Sequence, residues 1–283
     1  GIIMPANAEP QTLEEPRIGI VLRNMGPQAE TNTLAAMAEA AERAGLDSIW
    51  VTDHVAIAPQ ESEGSNGRYF DPLATLAYLA AKTHRIQLGT AVLILPYRPR
   101  LPTAKWIATI QELSGGRLRL GVGVGWMDTE FRALGLARSS RGRVSDENLA
   151  FLHRCFDQDI VSENGQDFLF RPRPKRPPIL VGGRAPHALR RAAQFADAWL
   201  PVRIEAEALA GHMHTLAEYA KEFSRLPPRI SVMGPIPPAD EGIEHVARYQ
   251  RGGATEFLHT VAYADLDEGL RAIESLANLR RQL

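Results

Sequence analysis

Two glycine-rich stretches have the composition of ligand-binding loops, and the first lies near the middle of the chain. Gly121, Gly123 and Gly125 follow a short apolar run at residues 118–122, and Trp126 comes directly after them. Glycines leave the backbone bare at the end of a strand, so a flat ligand could approach it closely. The spacing differs from the dinucleotide-binding pattern, which requires G-x-G-x-x-G at the start of a helix. We predict that this stretch forms a surface on which a cofactor binds. The alternative is that the glycines only permit tight packing or a β-bulge.

The second stretch joins an apolar segment to a predicted helix. Gly182 and Gly183 expose backbone N–H groups, and Arg184 adds a fork of donors that suits phosphate. The N-terminus of the helix that follows also favours anions. An ordinary strand-to-helix turn with Arg184 in solvent is the alternative. We predict a phosphate-binding loop made by Gly183, Arg184, Ala185, His187 and Ala188.

One histidine is placed for proton transfer. His54 and Asp53 come directly after the apolar residues 48–52. Imidazole titrates near neutral pH, so a histidine at a strand end could act as an acid or a base, and a purely structural histidine is the alternative. The carboxylates Asp128 and Glu130, which follow the first glycine-rich stretch, are interpreted as solvated.

Neither a metal site nor a nucleophilic site is predicted. His212 and His214 are two residues apart, so they would face different sides of a helix. No His-Glu-x-x-His pattern and no Gly-x-Ser-x-Gly elbow occurs. Cys155 is the only cysteine, which excludes an internal disulfide, and it falls within a predicted helix.

The elements that must position these residues alternate along the chain. Apolar runs rich in β-branched residues predict strands at 17–22, 48–52, 85–95, 118–123, 178–182, 198–202, 229–233 and 256–261. Helices are predicted at 33–44, 71–84, 101–113, 145–156, from about 186, and at 205–223, 240–250 and 265–279, with a hairpin turn at 164–165 and a loop at 126–145. This alternation predicts an α/β fold, a (β/α)8 TIM barrel with eight parallel strands. An open doubly wound sheet is the alternative.

The composition is that of an ordinary globular protein. The 283 residues include 32 basic and 33 acidic side chains, a net charge of −1. No block of like charge points to a nucleic acid or a membrane surface as partner. We predict a flexible N-terminal arm or cloning remnant at residues 1–16, and a single barrel domain at 17–283. Because residues 1–16 do not read as a secretory signal, a cytoplasmic location is expected.

In a TIM barrel the active site lies at the C-terminal ends of the strands. That rule selects one group of positions at the strand exits: Asn24, residues 53–54, 91–92, 123–130, 182–187 and 201–203. The two glycine-rich stretches and His54 therefore meet at one end of the predicted barrel.

Four of these stretches together resemble the luciferase-like flavin oxidoreductase family, which includes bacterial luciferase, alkane and alkanesulfonate monooxygenases, and relatives that use a 5-deazaflavin coenzyme. They are Trp-Val-Thr-Asp-His at 50–54, Leu-Gly-Thr-Ala-Val-Leu-Ile-Leu-Pro at 88–96, Leu-Ser-Gly-Gly-Arg from 113 through Gly-Val-Gly-Val-Gly-Trp at 121–126, and Val-Gly-Gly-Arg-Ala-Pro at 181–186 with Asp-Ala-Trp-Leu-Pro at 197–201. Order and spacing also match, over residues 17 to about 203.

The resemblance implies a flavin or deazaflavin ring lying across the strand ends. It implies a non-prolyl cis peptide bond between Ala91 and Val92, and a role for His54 as an acid or base beside the ring. Asp53 would bind the cofactor or orient His54. The remaining cofactor contacts that it implies are Ala91, Val92, Gly123, Gly125 and Trp126.

We therefore predict an oxidoreductase, a luciferase-like monooxygenase that uses reduced FMN and oxygen on a small organic substrate. The family implies a homodimer, and a separate flavin reductase is a further expected partner. The first alternative is hydride transfer with the deazaflavin coenzyme F420, whose acidic tail could use Arg98, Arg100 and Arg203. Trp126 stands where some deazaflavin enzymes have a catalytic glutamate, which favours FMN. The second alternative is a barrel that binds flavin without catalysis.

Overall fold

Eight parallel strands close into a barrel in the computed structural model, which describes residues 13–283. The strands of the chain are β1 (Arg17–Val21), β2 (Ser48–Val51), β3 (Gln87–Ile94), β4 (Leu118–Gly123), β5 (Ile160–Glu163), β6 (Gln166–Leu169), β7 (Ile179–Gly182), β8 (Ala198–Leu200), β9 (Arg229–Gly234) and β10 (Ala254–His259). Strand β1 pairs in parallel with both β2 and β10, which closes the sheet. The predicted (β/α)8 barrel is confirmed, and the open sheet is excluded.

The helices connect successive strands on the outside of the barrel. They are α1 (Thr31–Arg43), α2 (Pro72–Lys82), α3 (Arg100–Leu113), α4 (Asp128–Leu134), α5 (Arg141–Asp157), α6 (His187–Phe195), α7 (Leu209–Glu222), α8 (Ala239–Arg251) and α9 (Leu266–Arg281). The start of α2 follows the sequence directly, because the Asp71 side chain accepts a hydrogen bond from the Ala74 N–H and Pro72 occupies the first turn. The prediction of a loop at 126–145 was wrong, since α4 and the start of α5 lie there.

Strands β5 and β6 form a separate antiparallel hairpin between α5 and β7. Its turn residues, Asn164 and Gly165, have φ values of 52° and 74°, the left-handed region that such two-residue turns require. The hairpin predicted at these positions is confirmed.

A tryptophan fills the middle of the barrel. Trp50 is fully buried, and its Nε1–H donates to Ser48 Oγ at 2.8 Å. A Cβ atom at Gly19 would lie 2.7 Å from Trp50 Nε1, so the neighbouring strand has to carry glycine at this level. The guanidinium carbon of Arg119 lies 6.0 Å from the centre of the indole. The indole therefore lies inside the barrel, between the N-terminal and the C-terminal ends of the strands.

Residues before β1 contact the barrel. Residues 1–12 of the predicted arm lie outside the described part of the chain. The Glu14 carboxylate pairs with Arg229, and its carbonyl oxygen accepts a hydrogen bond from Gln250 Nε2 at 3.0 Å. None of the helices within residues 13–283 combines the length and the apolar character needed to cross a membrane.

The end of β10 makes the stability of the barrel dependent on pH. Burial, with a smaller contribution from His245, lowers the pKa of His259 from 6.5 to about 4, and His259 Nδ1 accepts the Ile236 N–H at 3.0 Å. Between these two pKa values the unfolded chain binds the proton and the folded chain does not. The free energy of unfolding should therefore fall by about 2 kcal/mol between pH 7 and pH 5 from this residue. Urea denaturation at both pH values measures it.

The variant His259→Asn keeps a side-chain acceptor and removes the titration, so its stability should fall less over the same pH interval. The exposed His214 provides the matched control, because His214→Asn should keep the wild-type pH dependence. Equal pH dependence of His259→Asn and the wild type would contradict the prediction.

Candidate active site

A buried carboxylate and a histidine meet at the C-terminal end of the barrel. His54 follows β2, and Glu130 lies in the first turn of α4, which follows β4. His54 Nδ1 is 2.6 Å from Glu130 Oε1. The Glu130 side chain has no exposed surface, whereas 18% of the His54 side chain is exposed. The interpretation of Glu130 as a solvated carboxylate was therefore wrong.

The Glu130 carboxylate has four donors around it. Its Oε2 accepts the backbone N–H of Val55 at 2.6 Å and that of Ala56 at 3.0 Å, and the Tyr97 hydroxyl donates to Oε1 at 2.9 Å. Burial raises the pKa of Glu130, but the hydrogen bonds from His54, the two backbone groups and Tyr97 outweigh it and hold the pKa below its usual value. Glu130 is therefore ionised at neutral pH.

An ionised carboxylate at Nδ1 determines the state of the imidazole. Because Glu130 Oε1 can only accept, it favours a hydrogen on His54 Nδ1. Nε2 is then the ring nitrogen that remains to exchange a proton with a bound molecule. The ring is held from the sides by Tyr69 and Trp126, whose ring centres lie 5.2 and 6.3 Å away in edge-on arrangements. Neighbouring side chains therefore hold the His54 ring in place, while part of it stays exposed to a bound molecule.

Trp126 lies at the barrel mouth with 62% of its surface exposed. Its carbonyl oxygen accepts a hydrogen bond from Arg138 Nε at 2.9 Å, which fixes the backbone after the first glycine-rich stretch. An exposed indole beside a catalytic-type histidine is available as one wall of a binding site.

Asp53 is engaged within the protein. Its Oδ2 accepts the Ile94 N–H at 2.9 Å and an Arg98 N–H at 2.7 Å, and its Oδ1 accepts from Arg98 at 2.9 Å. The residue is 3% exposed. Asp53 therefore fixes the end of β3, and both its oxygens face protein groups. Arg98 also pairs with Asp71 at 2.7 Å.

The Ala91–Val92 peptide bond is cis, as the family resemblance implies. The Val92 side chain lies against two glycines of neighbouring strands: a Cβ at Gly123 would be 2.6 Å from Val92 Cγ2, and one at Gly182 would be 3.0 Å from Val92 Cγ1. Gly125 has φ +82°, and its Cβ would be 2.9 Å from Ile94 Cγ2. Packing alone therefore disfavours any other residue at Gly123 and Gly125, and leaves little room for a side chain at Gly182, whether or not a ligand approaches them.

The predicted phosphate loop lies open at the end of β7. Residues 183–187 are exposed, and Gly183 has φ +113°. Helix α6 begins at His187 without an acidic residue in its first turn and without a side-chain cap. One N–H group of this turn, that of Ala188, donates to the Arg184 carbonyl at 3.1 Å. Trp199 Nε1 donates to the Gly183 carbonyl at 3.0 Å and holds the loop in place. An exposed, uncapped helix start beside Arg184 fits an anionic group such as phosphate.

The remaining predicted positions surround this site. Asn24 is fully buried and ties β1 to β2, because its side-chain amide donates to the Thr52 carbonyl at 2.7 Å and its Oδ1 accepts the Thr52 N–H at 2.9 Å. Arg100, expected at the mouth as a free cation, pairs with Glu147 at 3.2 Å. Residues 13–283 contain no group of three or more His, Cys, Asp or Glu arranged to hold a metal ion.

Glu130 and Tyr97 are the site residues that the sequence reasoning missed. One signal was present for Glu130: Met127, Phe131 and Leu134 recur at helical spacing, and Glu130 lies next to Phe131 on that apolar side. A charged residue on the buried side of a helix needs a partner. For Tyr97, which follows β3 in a short 3-10 turn, no sequence signal pointed to the carboxylate.

Residues 17–282 match the model of a protein family described as luciferase-like monooxygenase. An uncharacterized protein of Mycobacterium bovis is 33% identical over an alignment of 183 residues, and the alignment covers 58% of this chain and 63% of that protein. The match thus spans less than two thirds of that relative's length.

Two solved structures share the fold over nearly all of the chain. An F420-dependent secondary alcohol dehydrogenase, in complex with an F420–acetone adduct, has a TM-score of 0.75 at 16% identity and covers 94% of this chain and 98% of its own. The oxygenating constituent of 3,6-diketocamphane monooxygenase of Pseudomonas putida, in complex with FMN, has a TM-score of 0.76 at 16% identity, with 95% and 97% covered.

Proposed function

Since the chain belongs to the luciferase-like monooxygenase family, we propose that it is a monooxygenase that uses reduced FMN and oxygen on a small organic substrate. The observation that carries this proposal is the contact between His54 and the buried Glu130 at 2.6 Å, at the mouth of the barrel. A carboxylate that is kept ionised without solvent and holds one histidine is the arrangement of a positioned acid or base. The predicted homodimer and the separate flavin reductase stay predictions.

The residues present fit a phosphorylated flavin. Residues 183–188 would hold the phosphate, since the loop is open, uncapped and carries Arg184. The ring would lie near Val92 and Trp126, within reach of His54. When bound, the flavin supplies the redox chemistry. The chain would orient it near Val92 and Trp126 and exchange a proton at His54 Nε2, while Glu130 holds Nδ1.

Coenzyme F420 is the second candidate cofactor, because one solved structure of this fold carries an F420 adduct. Its acidic tail needs free cations at the mouth. Arg98 is bound to Asp53 and Asp71, and Arg100 is paired with Glu147. Of the three arginines expected to serve the tail, Arg203 alone makes no ion pair within residues 13–283. This distribution of charge favours FMN.

Titration of the purified protein with reduced FMN and with reduced F420, both under anaerobic conditions, tests the proposal. We expect saturable FMN binding, and Arg184→Ala should weaken it by about 1.5–3 kcal/mol, the range for a hydrogen bond to a charged group. Riboflavin has no phosphate, so its affinity should change little in the same variant. Isothermal titration calorimetry measures all three ligands.

The control is Arg190→Ala on helix α6, which follows the loop, because Arg190 is exposed and pairs with Glu222 at 2.8 Å. Tight F420 binding with negligible FMN binding would overturn the monooxygenase proposal in favour of hydride transfer. An equal loss of FMN and riboflavin affinity in Arg184→Ala would mean that Arg184 supports the fold.

A further inference from the structure

A second polar cavity lies at the opposite end of the barrel, where the strands begin. It has a volume of about 680 Å³. Its walls come from the first residues of several barrel strands and from the segments that precede them, including Arg17, Gln87, Arg119, Ser231 and Glu256. The proposed oxidoreductase reaction, at the other mouth, uses none of these residues.

The innermost group in this cavity is a carboxylate shared by two arginines. Glu256 is 1% exposed. Its Oε1 accepts from Arg119 at 2.6 Å and from the Ser231 hydroxyl at 2.7 Å, and its Oε2 is 3.6 Å from Arg17 Nε. One negative charge therefore faces two positive ones. Burial first, and then the neighbouring Arg119, lower the pKa of Arg17, as expected for a crowded pair of cations.

Several polar atoms around this carboxylate have no hydrogen-bond partner within the described part of the chain. They are Arg17 Nε, Gln87 Oε1, Arg119 Nε and Glu256 Oε2. Arg17 Nε and Glu256 Oε2 face each other at 3.6 Å, which leaves Gln87 Oε1 and Arg119 Nε without a partner among the described residues. Buried polar atoms are nearly always paired. Two of the four atoms are N–H donors of guanidinium groups, which bind oxyanions well.

The wall of this cavity as a whole has a small excess of positive charge. It carries five basic and four acidic side chains, a net charge of +1. Arg176 pairs with Asp197 at 3.0 Å, and Arg229 pairs with Glu14. The basic side chains that remain are Arg17, Arg119 and Lys175, and they exceed the two remaining carboxylates, Glu15 and Glu256, by one charge.

We propose that this cavity is a binding site for a small oxyanion, of the phosphate or sulfate type, held by Arg17 and Arg119 at the N-terminal end of the barrel. Ordered water is the competing occupant, because water can serve donors and acceptors alike. The two differ in their response to charge: an anion gains affinity when Glu256 is neutralised, and water does not.

Calorimetric titration with sodium phosphate at constant ionic strength tests the proposal. Every titration uses the Arg184→Ala background, so that phosphate binding at the loop of the other mouth is weakened and is the same in all the variants compared. We expect saturable binding, weakened about tenfold or more by Arg17→Gln, as for the loss of one hydrogen bond to a charged group. Glu256→Gln should tighten binding about tenfold, because it removes a nearby like charge and keeps an oxygen for Ser231.

Arg251→Gln is the matched control, since Arg251 is an exposed arginine of α8 outside the cavity, and its phosphate affinity should equal that of the background. Circular dichroism and thermal unfolding confirm that each variant is folded before titration. An absence of saturable binding in the background protein overturns the proposal and assigns the cavity to water. Equal affinities of Arg17→Gln and Arg251→Gln, or no gain in Glu256→Gln, overturn it as well. These measurements do not involve flavin binding. Their outcome therefore tests the oxyanion site independently of the proposed function.

Discussion

Replacement of His54 by alanine is expected to lower the turnover rate of the proposed reaction by about 100- to 10,000-fold, the usual value of a positioned proton-transfer group. In the proposed reaction His54 Nε2 exchanges the proton. Two tyrosines lie near this site: Tyr97 donates to Glu130, and burial raises the pKa of both Tyr97 and Tyr69. The cofactor affinity should change little, because the phosphate loop lies on other strands. Steady-state kinetics and a binding titration on the same preparation separate the two effects.

His214→Ala is the control for this experiment, since His214 is exposed on α7, away from the strand ends. Its rate and affinity should equal those of the wild type. An unchanged rate in His54→Ala together with a lower melting temperature would identify His54 as a structural histidine and leave the proton transfer without a donor.

Two different replacements of Glu130 should distinguish its contribution to stability from its contribution to catalysis. Glu130→Ala leaves the N–H groups of Val55 and Ala56 and the Tyr97 hydroxyl without their acceptor, so the free energy of unfolding should fall by about 3 kcal/mol or more. Glu130→Gln keeps one oxygen, which can accept from the N–H groups of Val55 and Ala56 that share Oε2 in the wild type, and it should recover part of that stability. Its turnover should nevertheless fall towards that of His54→Ala, because a neutral amide no longer holds the imidazole in one state.

Two further variants test whether Glu130 acts by positioning His54. Combining Glu130→Gln with His54→Ala should lower the rate no further than His54→Ala alone, since the two residues act as one unit. Asp128→Asn, in the same turn of α4, removes an exposed carboxylate that pairs with Arg132, and should change neither property. Wild-type turnover and an unaltered pH–rate profile in Glu130→Gln would show that Glu130 serves only the fold.

Local sequence patterns were sufficient for the barrel, although not for α4, which lies in a segment predicted to be a loop. Each barrel strand has a short apolar run and most helices have their own periodicity or cap, as Asp71 and Pro72 show at the start of α2. The order of the eight barrel strands around the sheet follows from the chirality of strand–helix–strand units, so no long-range information was needed. The strand-end rule then brought His54 and residues 183–187 to one face.

The partners within the site could not be predicted in the same way. Glu130 reaches His54 from 76 positions away, and that contact depends on the packing angle of α4 and on the path of the chain after β2. Asp53 has the position of a cofactor ligand in the sequence, but Arg98 binds both its oxygens. Gly123 and Gly182 suggest room for a ligand until the Val92 side chain is placed against them.

The two backbone hydrogen bonds to Glu130 have a consequence for protein engineering. They anchor Val55 and Ala56 to α4, so the position of the imidazole is set before the chain enters the following segment. The connection from residue 57 to 68 could then be exchanged for that of a relative without moving His54. That connection borders the mouth of the barrel, so such an exchange would test whether it determines which substrates reach the proposed proton-transfer site.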